Sequence, residues 1–472
     1  MNKRNLFKKN NKVLLFIIFI VFLYGMGAFS KFYVAKPLNI ILISIDTLRA
    51  DHMGIYGYKR ETTPNMDAFA KESILFMNAY SQASWTPPSL ASILSGIYPN
   101  EHGVGDWNNI ANPKVKFLMD RLPKNSYNSA FITNHPSLFL ENLGFTKGYD
   151  RKIIYKNNYE RADKVTKSAI KFLQQVVGAK KPFILWVHYF DPHEPFEPSE
   201  PFCSNFIQKY KNEIPYETTS ICEIESYYGL NCISPYIIRE SNTNVNYYSL
   251  LYDAEIAEVD FSIGQLIEQI KKLKLMNNTI IVITSDHGEI IKRCNVLNDK
   301  CVYLSHGTFL FNELIHVPLI LHIPNQNKSI IVNDNVATID ILPTLSYLNK
   351  DISKEGYNGV SLLPINEINK LRKIYSYEIR LKWIASLYKR WEFIKYDNFS
   401  EFYKINNSDD ELINFPNFYE PIPSKICKIL ENSMDERDSV KFSKQGELDE
   451  ELVDKLNSLG YISNIKQYFD KK

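Results

Sequence analysis

The run "SQASWTPPSLASILSGIYPNEHG", Ser81 to Gly103, sets a hydroxyl, Thr86, before two prolines and a stretch patterned as a helix. Thr caps helices well and Pro is welcome in the first helical turn, so a cap is one reading of Thr86. The other reading is chemical. The free N–H groups and positive end of a helix favour negative charge on a hydroxyl or on a bound oxyanion. A second run, "SDHGE" at Ser285 to Glu289, places Asp286 and His287 side by side after an apolar strand pattern, and Asp46 follows another such strand, "NIILISI". With the oxygen of Thr86, these three make a mixed oxygen and nitrogen set that suits Zn²⁺ or Mn²⁺ better than Ca²⁺, whose sites are mostly all oxygen. A cation on the threonine oxygen lowers its pKa and holds it for in-line attack on an ester, while imidazoles or a second cation offset the charge on the ester oxygens. His188, in "HYFDPHEPF", and His306, in "LSHGTFLF", are candidates for that second task, as ligands of a second metal, or as structural histidines. His193 reads first as part of a rigid "DPHEP" turn, and His316 and His322, in or beside an apolar strand, read as structural.

Residues so far apart in sequence need a frame that gathers them. Four β-type runs stop at polar side chains: "LNIILISI" before Asp46, "AFIT" before Asn134 and His135, "FILWV" before His188, and "TIIVIT" before Ser285. They alternate with helical patterns, which predicts an α/β layer fold with a mostly parallel sheet. In open α/β sheets the ligand crevice lies beyond the carboxyl ends of the strands, so these residues meet if the strands are neighbours. "YDAEIAEVDFSIGQLIEQIKKL" carries an apolar stripe at helical spacing, and Asp253, Glu255 and Asp260 on it read as capping or solvated residues. "HVPLILHIP" reads as a further strand and Asn333 to Leu348 as a helix entry. The expected division is a tail and apolar segment over 1–30, a catalytic domain over 31–370 with an insertion at 199–246 near the mouth of the site, and a small subdomain over 371–472. That last part shows short aromatic-rich strands and a closing helix, "DEELVDKLNSLGYI".

Charge is nearly balanced, 55 basic against 53 acidic residues, which removes any electrostatic case for a nucleic-acid partner. Lys3, Arg4, Lys8, Lys9 and Lys12 precede an uncharged apolar run from Val13 to Phe29. That run is at the short end of the roughly 17–25 residues that span a bilayer. The basic flank keeps the amino terminus in the cytoplasm and the body outside, anchored to the membrane; "AFS" at Ala28 to Ser30 leaves a cleavable signal peptide as the rival. Six cysteines, Cys203, Cys222, Cys232, Cys294, Cys301 and Cys427, fit an exported body, and no CxxC pair points to a cysteine zinc site. Cys294 with Cys301, and Cys222 with Cys232, are close enough to staple loops, though sequence leaves fifteen pairings open.

The segments from "NIILISIDTLRADHMGIYGYKRETTPN" through "SWTPPSLASILSG", "YDAEIAEVD", "TIIVITSDHGE", "HGTFLFNELIHVPLI" and "LNSLGYI" together resemble the sulfatase family of the alkaline phosphatase superfamily, over most of Leu38 to Ile462. The resemblance implies a large α/β domain with a central sheet between helices and a smaller carboxyl-terminal α/β subdomain. It also implies metal ligands at Asp46, Asp286 and His287 and a nucleophile at Thr86. The family signature, Cys-x-Pro-Ser-Arg with Gly ten residues after the Cys, matches Thr86, Pro87, Pro88, Ser89, Leu90 and Gly96 with two departures. Thr86 cannot become the formylglycine of hydrolytic sulfatases, and Leu90 replaces the supporting arginine. His306 stands where those enzymes have a sulfate-binding lysine, and His287 where they often have Asn. A threonine with Asp, Asp and His is similar to the phosphoryl-transfer branches of the superfamily. The expectation is a metal-dependent hydrolase or transferase of phosphate esters, with a lipid or a cell-envelope glycan among the possible substrates. Sulfate hydrolysis through unmodified Thr86, and a non-catalytic binding ectodomain, are the alternatives.

Overall fold

β-branched and leucine-rich runs with every position apolar make strands that must be covered on both faces. The computed structural model describes residues 37–405, apart from 139–140, 156–159, 214, 223–228, 297–299 and 397–399. Eight strands make the main sheet: β1 (Asn39–Ile45), β2 (Ile74–Tyr80), β3 (Asn128–Thr133), β4 (Arg151–Ile154), β5 (Phe183–Tyr189), β8 (Thr279–Ser285), β11 (His316–His322) and β12 (Ile330–Ala337). Their order is β12-β2-β11-β8-β1-β5-β3-β4. Intervening labels belong to a two-residue parallel pair, β6 (Ser220–Ile221) and β7 (Cys232–Ile233), and a hairpin, β9 (Ile290–Val296) and β10 (Lys300–Ser305). The run β8-β1-β5-β3-β4 is parallel throughout, and β12 is parallel to β2. Only β11 runs antiparallel to its neighbours, so the sheet is mixed and mostly parallel. The four strands that end in polar residues are adjacent in the order β8-β1-β5-β3, which brings their carboxyl ends together.

The period of two sorts each strand onto two cores. Ile41, Ile43, Leu185, Val187, Ile281 and Ile283 face one layer of helices, which includes α1 (Pro64–Ala70), α4 (Ala162–Val176) and α6 (Val245–Lys272). Ile40, Leu42, Ile184, Trp186, Ile280 and Val282 face the other, which includes α2 (Thr86–Ser95) and α8 (Ile341–Leu348). Shorter helices are α3 (Pro99–His102), α5 (Phe202–Tyr210) and α7 (Asn312–Ile315). The carboxyl-terminal strands β13 (Ile374–Glu378), β14 (Trp383–Tyr388), β15 (Trp391–Lys395) and β16 (Ser400–Lys404) form an antiparallel meander. It is stitched to the segment before α2, where Tyr377 N donates to Gln82 O at 2.8 Å and Ser376 Oγ to Ser81 O at 2.5 Å.

Two sequence expectations change here, at 333–337 and at Asp253 and Glu255, while Asp260 keeps its capping role. Residues 333–337 are strand, because Asn335, Val336 and Ala337 pair with Asn78, Ala79 and Tyr80 of β2; the helix starts only at Ile341. Asp253 and Glu255 are buried and ion-paired, to Arg60 at 2.6 Å and Arg161 at 3.1 Å, and neither is solvated. Asp260 is buried too and caps α1, accepting from the Asn65 and Met66 N–H groups at 2.9 and 2.8 Å. The insertion holds α5, and its last residues, Val245 and Asn246, already belong to α6.

Disulfides join Cys222 to Cys232 and Cys294 to Cys301, while Cys203 is a buried free thiol. The amino-terminal tail and apolar run, Cys427 and the closing helix expected at the carboxyl terminus lie outside the described residues. Among the described helices none is long and apolar enough to cross a membrane.

Candidate active site

Asp46 leaves the end of β1, and the chain then turns through Thr47, whose φ of 53° is a backbone region that a β-branched residue rarely occupies. Neighbours fix that turn: Tyr252 Oη donates to Thr47 O at 2.6 Å, Thr47 N donates to Asp286 Oδ1 at 3.3 Å, and Leu48 N to Ser285 Oγ at 3.0 Å. The turn at β8 is equally tight. A Cβ on Gly288 would lie 2.0 Å from Glu313 O and 3.0 Å from Arg49 Cγ, so only glycine lets "SDHG" pass there.

Thr86 is not a helix cap. It is the first residue of α2, Trp85 holds the cap position, and no side chain caps the helix. The Thr86 hydroxyl is fully buried and lies 3.2 Å from His287 Nε2. Gly96 ends α2 with φ 71°, and a Cβ there would meet the Tyr357 ring at 2.7 Å. Leu90, at the position of the signature arginine, is buried in the apolar layer of α2 and brings no charge.

Backbone partners decide which nitrogen of each imidazole faces the centre. Gly288 O accepts from His287 Nδ1 at 2.9 Å, so in the neutral ring His287 Nε2 is bare. That atom lies 3.5 Å from Asp46 Oδ1 and 3.7 Å from Asp286 Oδ2. His188 engages Ser44 Oγ through Nδ1 at 2.9 Å, and Trp186 Nε1 donates to the same oxygen; His188 Nε2 stands 3.6 Å from Asp46 Oδ2. His135 is the reverse case. Ser137 N donates to its Nδ1 at 3.1 Å, which puts the proton on Nε2, 3.6 Å from Asp46 Oδ2. Burial lowers His188 and His287 to about 4, so both stay neutral at pH 7. Asp46 is pushed well above the usual carboxylate range, by burial first and by Asp286 next.

A second group adjoins the first, with the His287 and His306 rings stacked at 4.9 Å. His306 Nδ1 lies 2.9 Å from Glu289 Oε2 and 3.2 Å from Glu194 Oε2. His193 packs edge-on against His306 at 4.7 Å and donates from Nδ1 to Glu194 O at 2.6 Å. Tyr236, from the insertion, donates to Glu194 Oε1 at 3.2 Å. Burial disfavours charge on His306, but Glu194 and Glu289 outweigh it and hold the ring protonated; burial and Glu194 lift Glu289 to about 8.

Of the residues expected at the site, Asp46, Thr86, His188, Asp286 and His287 converge directly, and His306 sits one ring away. His193, Glu194 and Glu289 were not expected there; their only sequence signal was proximity to "DPHEP" and "SDHG". His316 and His322 bond the backbone carbonyls of Met77 and Glu72.

Asp46 Oδ1 and Oδ2, Asp286 Oδ2 and His188 Nε2 are buried and lack hydrogen-bond partners. Four such atoms around one point are costly unless a cation meets them. Their spacings to neighbouring atoms, 3.5 to 3.7 Å, match the edge of about 3.4 Å of a tetrahedron built on metal bonds of about 2.1 Å. The donor set therefore fits a divalent metal of the Zn²⁺ or Mn²⁺ kind.

Comparison with known proteins is consistent with that chemistry. The sulfatase family model matches residues 38–349. The chain is 25% identical over 372 residues to an uncharacterized sulfatase of Escherichia coli K12, YidJ, across 70% of this chain and 72% of that protein. It is 26% identical over 354 residues to human iduronate 2-sulfatase, covering 62% of this chain and 61% of that one. Among solved structures, it is similar to a protein bound to its substrate D-glucosamine-2-N,6-O-disulfate, with TM-score 0.67, 19% identity and coverage of 85% of this chain and 97% of that chain. It is also similar to a phosphonate monoester hydrolase from Silicibacter pomeroyi, with TM-score 0.66, 16% identity and coverage of 86% and 96%. At these identities the structural likeness establishes the fold.

Proposed function

This chain belongs to the sulfatase family, and we propose that it cleaves or transfers an ester of a tetrahedral oxyanion, phosphate in preference to sulfate, with Thr86 as nucleophile. The observation that carries the reading is the buried Thr86 hydroxyl, 3.2 Å from His287 Nε2 and beside the partnerless oxygens of Asp46 and Asp286. Asp46, His188, Asp286 and His287, with Thr86, would hold the metal. When bound, it supplies Lewis-acid activation of the hydroxyl and offsets charge on the ester oxygens.

The chain's own groups set up the rest. α2 points its amino-terminal end at the reacting centre, where its dipole favours the threonine oxyanion and the ester oxygens. Without metal, the bare Nε2 of His287 accepts from the Thr86 hydroxyl at 3.2 Å, which keeps that oxygen beside the atoms that would hold the cation; Gly288 O fixes the ring so that the same Nε2 would turn to the metal when it binds. His135 presents an N–H from Nε2, and His306 a protonated ring, as donors to the oxygens of the transferred group. Attack by Thr86 Oγ on phosphorus forms the threonyl ester and releases the alcohol. Because Thr carries no geminal hydroxyl, that ester is cleared only by a second attack, from water in a hydrolase or from an acceptor alcohol in a transferase. A lipid or an envelope glycan as acceptor is the transferase form of the same chemistry.

Two disulfides among the described cysteines support a location outside the cytoplasm. The basic residues followed by an apolar run near the amino terminus support a membrane anchor.

A sulfate ester is the second reading, favoured by relatives named as sulfatases and by the structural neighbour bound to a disulfated glucosamine. A panel of p-nitrophenyl phosphodiester, phenylphosphonate and sulfate, assayed on chelator-stripped and Zn²⁺- or Mn²⁺-reloaded protein, separates the two. The expected result is metal-dependent turnover led by the phosphorus esters. Turnover of the sulfate alone establishes the second reading, and no turnover of any ester with metal present refutes both.

A further inference from the structure

The near balance of charge over the whole chain hides an asymmetry between the two edges of the main sheet. Every strand of that sheet but β11 points the same way, so the amino ends form one edge and the site lies at the other. Six exposed lysines sit at the amino-end edge: Lys124 before β3, Lys180 and Lys181 before β5, Lys274 before β8, Lys328 before β12, and Lys350 just after α8. Hydrogen bonds knit that edge into one surface. Asn128 N donates to Pro182 O at 2.9 Å, Phe183 N to Asn39 Oδ1 at 3.1 Å, and Asn349 Nδ2 to Leu38 O at 3.2 Å. None of the six lysines forms an ion pair with a described residue, whereas four acids at that end are engaged. Glu72 and Glu268 hold Lys271 and Lys272 at 2.9 and 2.7 Å, and Asp150 and Asp351 accept from Ser129 N and Tyr127 Oη at 2.8 and 3.2 Å. Val177, Ile330, Ile331 and Tyr347, which are 37 to 58% exposed, lie at the same edge.

We propose that this edge is a docking surface for a bilayer containing anionic lipid, on which the protein stands with its site facing away. Charge complementarity is the first support, since each lysine close to an anionic leaflet raises affinity by about fivefold. The apolar side chains are the second. Aliphatic groups and a tyrosine set among lysines are the composition of a surface that meets the headgroup layer. The third is chain length. The apolar run Val13 to Phe29 is followed by residues 30–37, which span at most about 29 Å fully extended, before Leu38 leads into β1 at this same edge. A tether that short keeps the edge near a membrane that holds the run, and the lysines set the orientation. The seven residues of β1, at about 3.3 Å each, then place Asp46 about 23 Å from the edge. One consequence rests on the ester-cleaving reading and deepens it: the ester attacked belongs to an envelope glycan or a soluble molecule, and not to a lipid headgroup of the supporting leaflet.

The docking surface is tested without turnover. The full chain is reconstituted in vesicles of phosphatidylcholine alone or with phosphatidylglycerol added, acetylated with a water-soluble N-hydroxysuccinimide ester, and analysed by peptide mass spectrometry. Lys124, Lys181, Lys274 and Lys328 should react at least about fivefold more slowly in the anionic vesicles, and high salt should abolish that protection. Lys382, exposed in the turn between β13 and β14, should react alike in both. Lys124→Gln, Lys181→Gln and Lys274→Gln combined should restore the reactivity of Lys328, with turnover of a water-soluble phosphodiester by the metal-loaded protein unchanged. Equal reactivity of these lysines in the two vesicles overturns the docking surface. Protection by polyphosphate in solution, without protection by the anionic vesicles, overturns it too and assigns the edge to an anionic polymer. The substrate consequence has its own arm, in which the soluble diester is compared with a long-chain diester embedded in the anionic vesicles. Turnover of the soluble ester alone is expected. Turnover of the embedded ester overturns the choice of substrate, and protected lysines with no turnover of either ester refute the ester-cleaving reading while the docking surface stands.

Discussion

Replacing Asp46 by Asn should stabilise the metal-free protein while removing its response to metal. His287 Nε2 is 3.5 Å from Asp46 Oδ1 and 3.7 Å from Asp286 Oδ2, so those oxygens are at most 7.2 Å apart, the total of the two distances. Two unit charges at that separation repel by about 2 kcal/mol at an effective dielectric constant of about 20. Asn at 46 removes that repulsion and the burial of a charge. The effect depends on pH with a definite sign. In the folded metal-free protein Asp46 holds its proton more tightly than in the unfolded chain, because of burial and Asp286. Stability therefore falls as pH rises from the ordinary carboxyl range, near 4, towards the raised folded value. The wild type and Asp46→Asn should melt alike at pH 4 and diverge above it, by roughly 4 °C at about 2 °C per kcal/mol. Differential scanning fluorimetry on chelator-stripped protein from pH 4 to pH 9 measures this. Zn²⁺ at 100 times its Kd should then raise wild-type stability by about 2.7 kcal/mol and that of Asp46→Asn by far less. A metal-free Asp46→Asn that melts below the wild type at pH 9 would refute the argument that these carboxylates await a cation.

Further outcomes follow from neighbouring geometry. His135→Ala removes the N–H aimed at the centre and should lower kcat/KM by about 10²- to 10³-fold with little change in melting, as read from steady-state kinetics on the substrate that turns over best. Gly288→Ala forces a Cβ against Glu313 O and should cost about 3 kcal/mol in urea unfolding, with loss of turnover because Gly288 O orients His287. Replacing Cys294 and Cys301 together by Ser opens a loop with a sequence separation of 7. That should cost about 2.5 kcal/mol in urea unfolding. The hairpin so loosened joins Glu289 to His306, whose ring stacks on His287, so turnover should fall in the same variant.

The strand ends were legible because each apolar run stopped at a polar residue and the parallel order β8-β1-β5-β3 placed those stops side by side. Thr86 was ambiguous because Thr-Pro-Pro fits a cap or a nucleophile equally. Its deciding partner, His287, lies 201 residues away. The same distance problem hid the burial of Asp253 and Glu255, whose arginines are 193 and 94 positions off. Glu194 and Glu289 gave no separate signal, since an acid beside "DPH" or "SDHG" is also what a solvated turn contains. The strand at 333–337 was misread as helix because "NDNVA" lacks an apolar alternation, and its place is set by pairing with β2 rather than by its own pattern.

The central claim is that Thr86 attacks the ester, and intact and peptide mass spectrometry tests it most directly. Metal-loaded protein is quenched during turnover of phosphodiester, phosphonate and sulfate esters, then digested. The account predicts an adduct of phosphoryl or phosphonyl mass confined to the peptide bearing Thr86, and absent from Thr86→Ala and from metal-stripped protein. Turnover with Thr86 unmodified at every quench time, or turnover that survives in Thr86→Ala, would contradict it.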